Sequence, residues 1–134
     1  MTTHPSTPTD SAGKPLTQNP HLLAWVEEMA RLISLNHPGP VKTAYLNANE
    51  PHIPEGLQRF AGTNVNKIIA LPLFLAHGVH TKEDIPHELG VDKTSRKGPV
   101  NIAGKSVEVF CAEPLGMDEC IATLAYKRAK EALK

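Results

Sequence analysis

The longest apolar run in the chain is Ile68–Leu75, interrupted only by Pro72. A short continuous run of this kind, bounded by polar residues, predicts a strand buried on both faces, here 67–75. Pro72 cannot donate to a ladder, so the strand is expected to end or turn irregular near it. The run stops at Ala76-His77-Gly78-Val79-His80, and Thr81 is placed to cap a short helix from about Lys82. Upstream, Asn19 is a good N-cap and Pro20 suits a first helical position. Leu22, Val26, Met29 and Ile33 then recur at helical spacing until His37-Pro38-Gly39-Pro40 ends the element. Val41–Leu46 reads as a strand, 47–51 as a loop, and Ile53, Leu57 and Phe60 as one face of a short helix stopped at Gly62. The Lys-, Gly- and Pro-rich stretch 91–104 reads as a surface loop. Val107, Val109 and Cys111 alternate in a strand over 106–111. Ile121, Leu124, Ala125 and Ala132 mark a last helix with cations towards its end, where the helix dipole favours them.

Helices and strands that alternate at these lengths predict an α/β fold, a parallel sheet of three to four strands flanked by helices. At least three parallel strands are expected: 41–46, 67–75 and 106–111. Residues 1–18 hold three prolines, five threonines and a single large apolar residue beyond Met1, Leu16. Such a composition does not offset its ordering entropy, so a disordered tail is expected there, followed by one domain over 19–134.

Fourteen basic and fourteen acidic residues cancel, which argues against nucleic-acid or anionic-membrane partners. No apolar run approaches the roughly 18–20 residues of a membrane span, and the first residues lack a secretory pattern, so a cytoplasmic protein is expected. Cys111 and Cys120 are the only cysteines. Nine residues apart, they form no metal motif and are expected to be buried packing residues.

The chemistry-bearing residues lie after the apolar run. In open α/β sheets ligands bind at the carboxyl ends of strands, where His77 and His80 fall. Imidazole is the commonest metal ligand and titrates near neutral pH. Two histidines suit an open site that holds a metal transiently. Loop histidines bonded to backbone are the competing reading. Glu83 and Asp84 suit acceptors for an imidazole N–H, or simply first-turn carboxylates favoured by the helix dipole. Glu50, in the loop after 41–46, lies at the same expected sheet edge, and Glu113 follows the last strand. His52 and His87 read as surface residues. There is no phosphate-binding glycine loop, nucleophile elbow or CxxC pair.

The stretches VKTAYLNANEPHIPEGL (41–57), KIIALPLFLAHGVHTKEDIPHELG (67–90) and VFCAEPLGMDE (109–119) resemble, in order, the small CbiX-type sirohydrochlorin chelatases. The resemblance covers about two-thirds of the chain, from Val41 onward. It implies a class II chelatase half, insertion of cobalt, nickel or ferrous iron into sirohydrochlorin in cobalamin- or siroheme-type biosynthesis, and a homodimer. It matches the family's metal-handling histidine to His80, with His77 variable and Glu50 in a frequent Glu-Pro pair. The divalent metal is a substrate, and no tightly bound cofactor is implied. Two departures stand out. The family's opening strand with its His-Gly-Ser motif has no match in residues 1–34, and Asn47 stands where many members have glutamate. An unpaired sheet edge and self-association are therefore expected. The alternative is a non-catalytic protein that binds metal or tetrapyrrole. Leu73, Phe74 and Leu75 would face the ring, and Lys82, Lys93, Arg96 or Lys97 are donors for its carboxylates.

Overall fold

A computed structural model describes residues 19–46, 49–75 and 81–133. The expected tail, 1–18, lies outside the described residues. In chain order the elements are α1 (Pro20–Ser34), α2 (Ile53–Gln58), β1 (Lys67–Ala70), α3 (Thr81–Leu89), β2 (Lys97–Ile102), β3 (Lys105–Cys111) and α4 (Glu119–Glu131).

The α/β class and the three-strand sheet are as the pattern predicts, but the strands are not all parallel. The order is β1-β3-β2. β1 pairs parallel with β3, Ile68 opposite Val109, and β2 pairs antiparallel with β3, Val100 opposite Val107. β2 occupies part of the stretch expected to be loop. Val100 and Ile102 turn inward at alternate positions before a two-residue turn, Ala103-Gly104, with φ of 51° and 85°. Positive φ at both turn positions is what the twist of a tight hairpin demands. The Asn101 side chain accepts from Gly104 N at 2.8 Å and holds the turn. Pro99 is tolerated because β2 is an edge strand. At this same turn, Gln58 of α2 clasps the hairpin: Nε2 donates to Asn101 O and Oε1 accepts from Ala103 N.

The expected strand 41–46 is not formed. Its trace is a single parallel bridge between Tyr45 and His52, with Tyr45 N donating to Pro51 O at 2.9 Å. β1 ends at Ala70, short of Pro72, as that proline predicts. The chain still runs beside the segment after β3: Ala112 N donates to Ala70 O, Leu115 N to Phe74 O and Gly116 N to Leu75 O.

The core lies between the sheet and helices α2 and α3. It comprises Leu57, Ile68, Ile85, Leu89, Val91, Ile102, Val107, Val109 and Cys111, with Val109 fully buried. Burying each large aliphatic contributes about 1.5–3 kcal/mol. α1 begins as its sequence predicts, with Asn19 Oδ1 accepting from Leu22 N at 3.0 Å. Of its apolar stripe only Val26 is buried, and neither α1 nor α4 adds a residue to the core cluster. Cys120, expected to be buried, is exposed on α4, whereas Cys111 is buried.

Candidate active site at the carboxyl end of the sheet

His77 and His80 lie outside the described residues, and so does Asn47. The structure describes what flanks residues 76–80 on each side. On the near side, Leu75 is exposed, and its carbonyl accepts from Gly116 N at 2.7 Å. On the far side, α3 starts at Thr81. The two flanks and the segment 111–116 thus meet at the carboxyl end of β1 and β3.

The far flank carries a local defect. Pro86 sits inside α3 and is fully buried. A proline has no N–H, so the carbonyl four residues back, that of Lys82, loses its helical partner. Arg96 takes that place: Nη1 donates to Lys82 O at 3.4 Å. Its Nη2 donates to Cys111 Sγ at 3.0 Å and to Ala112 O at 3.2 Å. Nε is buried with no hydrogen-bond partner among the described residues and lies 3.8 Å from Glu113 Oε1. The side chain of Arg96 is only 13% exposed, against 77% for Glu113. Its backbone has φ of 58°, closing the turn that Asp92 organises by accepting from Ser95 N and Thr94 N. Burial pushes the Cys111 thiol above its ordinary pKa, while the Arg96 charge pulls it the other way and Glu113 adds to the rise. Cys111 is therefore a neutral acceptor here.

Glu50 is exposed between two buried neighbours, Asn49 and Pro51. Asn49 is 3% exposed and has φ of 36°. Its Oδ1 accepts from Asn19 N and its Nδ2 donates to Asn19 O, both at 3.0 Å. This one amide ties the loop bearing Glu50 to the start of α1. His52 is not the surface residue its sequence context suggests. It is half-buried at the N-cap of α2, makes no cap hydrogen bond, and has a buried Nε2 without a partner among the described residues.

Glu83, Asp84 and His87 are exposed on α3 and line, with Gly90, Val91 and Lys93, an open cavity of about 520 Å³. Among the described residues, no three histidine, cysteine, aspartate or glutamate side chains are arranged to hold a metal ion. Lys82, Lys93 and Lys97 are exposed, whereas Arg96 is committed to protein partners. The expected role of Arg96 as a carboxylate donor is thus replaced by a tie between elements, and the signal for that in the sequence is the proline in α3 that withholds a donor from Lys82 O. Among the described residues no helix is long and apolar enough to cross a membrane.

Comparison with known proteins addresses the family of the chain. The family model described as CbiX matches residues 17–132. The sirohydrochlorin cobaltochelatase of Methanosarcina acetivorans is 44% identical over 109 residues, 81% of this chain and 83% of the relative. Those of Methanosarcina barkeri and Methanococcoides burtonii are 42% and 40% identical over the same shares. A family match over nearly the whole chain, together with relatives this similar over four-fifths of their length, shows that the chain belongs to the CbiX family.

Proposed function

We propose that the protein is a sirohydrochlorin cobaltochelatase, inserting Co²⁺ into the tetrapyrrole as a step of cobalamin-type biosynthesis. The observation that carries this reading is the family match over 17–132 with relatives of that name. Those names lend nothing to the alternative of a non-catalytic binding protein. The reaction exchanges two pyrrole N–H protons for one divalent cation, so the site needs a base and a ligand that lets go. Histidine can serve as either. In this reading His80 holds the incoming metal and accepts a proton in turn, with His77 and Glu50 assisting. The metal is a substrate, and no resident cofactor is required. The exposed side chains of Phe74 and Leu75, just before residues 76–80, offer apolar surface to the ring. Exposed Lys82, Lys93 and Lys97 are available to its carboxylates. Residues 19–134 act as one domain in the cytoplasm, as a homodimer.

The test is anaerobic incubation of the protein with sirohydrochlorin and Co²⁺, followed by absorbance, beside calorimetric Co²⁺ titration of His80→Ala and His77→Ala. His80→Ala is expected to abolish insertion and metal binding. His77→Ala is expected to weaken them about 10- to 100-fold, the scale of losing a supporting group. Parental cobalt affinity in His80→Ala would remove the site assignment. No absorbance change with the parent protein would remove the function.

A further inference from the structure

We infer that Arg96 is a positioning residue of the insertion site, fastening the first turn of α3 to the carboxyl end of β3. The inference rests on the chelatase reading for its functional meaning, and on geometry for the rest. The buried Pro86 cannot donate the usual i+4 hydrogen bond to Lys82 O, in the first turn of α3, just after residues 76–80. With only water as its partner, that carbonyl would hold the turn less firmly than a fixed protein donor does. The Arg96 guanidinium reaches it from the residue before β2, while its other terminal nitrogen holds Cys111 Sγ and Ala112 O. A planar fork with several fixed donors can span acceptors on two elements at once, and an ammonium on a flexible stem cannot do so equally well. The charge is not idle either, since Nε faces the exposed Glu113 carboxylate at 3.8 Å.

The same geometry separates this role from that of a substrate anchor. A guanidinium that recognised the macrocycle's carboxylates would present its nitrogens to solvent. That of Arg96 is 13% exposed and spends both terminal nitrogens on the protein. The exposed Lys82, Lys93 and Lys97 are better placed for that task. Arg96 thus acts through the backbone it holds.

The experiment uses Arg96→Ala and Arg96→Lys in the full chain. It reads amide hydrogen exchange along α3, then kcat and KM for cobalt insertion into sirohydrochlorin, with and without millimolar guanidinium. In Arg96→Ala, α3 amides should exchange at least 10-fold faster while those of β3 keep their rates. The kcat should fall about 10- to 100-fold with KM for the tetrapyrrole within twofold. Guanidinium should restore part of the lost kcat in Arg96→Ala. Arg96→Lys should stay folded yet recover little of the rate. A raised KM at constant kcat would make Arg96 a substrate anchor and overturn the inference, as would unchanged α3 exchange. Unfolding of both variants would make it a general stability residue and overturn it equally. If the parent inserts no cobalt, the chelatase reading fails by itself, and exchange in α3 alone then decides whether the tie exists.

Discussion

Removing the side-chain amide of Asn49 should release α1 without unfolding the core. The amide makes two reciprocal hydrogen bonds to the backbone of Asn19, each 3.0 Å long, from a side chain that is nearly fully buried. In Asn49→Ala both are lost, at about 1 kcal/mol net apiece. The backbone there has φ of 36°, which asparagine tolerates better than alanine, adding about 1 kcal/mol of strain. The sum is about 3 kcal/mol, on the order of a 100-fold change in a local opening equilibrium. Because α1 contributes no residue to the core cluster, this loss should fall on α1 and the loop 49–52 rather than on the whole domain. The assay is amide hydrogen exchange, comparing α1 with β3. Asn49→Asp, which keeps the acceptor but turns a carboxylate oxygen on Asn19 O, should fall between parent and alanine variant. Parental exchange in α1 would refute the clamp. An equal acceleration in α1 and β3 would refute the claim that α1 opens independently.

Two further predictions rest on other features. His52→Ser installs a cap hydrogen bond that α2 lacks and removes a buried nitrogen without a partner among the described residues. It should stabilise the protein by about 1 kcal/mol, a rise in Tm of about 3–5 °C by calorimetry, and a fall in Tm would show that packing of the imidazole ring outweighs the cap. Among the described residues β1 has a strand on one edge only, and Ile69 on it is 72% exposed. The parent should sediment as a dimer at micromolar concentration and Ile69→Lys as a monomer, since an edge lysine disfavours pairing; a monomeric parent sinks this idea.

What the sequence revealed follows from where each signal resides. The start of α1 was legible because capping is local: Asn19 and Pro20 carry it within a few residues. The end of β1 before Pro72 was legible for the same reason. The segment 41–46 was misread because its apolar character is a local property, whereas a ladder needs a neighbour. Tyr45 finds only His52. β2 was missed because Lys97, Gly98 and Pro99 suggest a loop, yet three residues on, Val100, Asn101 and Ile102 already alternate before a glycine turn. The antiparallel direction of β2 then follows from that two-residue hairpin, which cannot join parallel strands. At the candidate site, the sequence offered Arg96 only as one cation among several for the ring's carboxylates, and its part as a tie between elements was not legible. Its role depends on the distant proline of α3 and on the thiol and carbonyl at the end of β3.

The basic residues around the site divide into two kinds, and burial does the dividing. A tetrapyrrole with several carboxylates calls for cations that remain hydrated until it arrives, because a charge already paired and buried has little left to offer. Lys82, Lys93 and Lys97 meet that condition. Arg96 lies immediately beside Lys97 in the chain but turns the other way, because a left-handed φ of 58° at the last residue before β2 swings it under α3. One backbone conformation therefore separates adjacent cations into a solvent-exposed lysine and a scaffold-facing arginine. The carbonyl that Arg96 satisfies belongs to Lys82, itself one of the exposed cations. Fixing that carbonyl fixes the Cα from which the lysine projects. The tie thus bears on two things at once: the start of α3, directly after residues 76–80, and the position of an exposed charge.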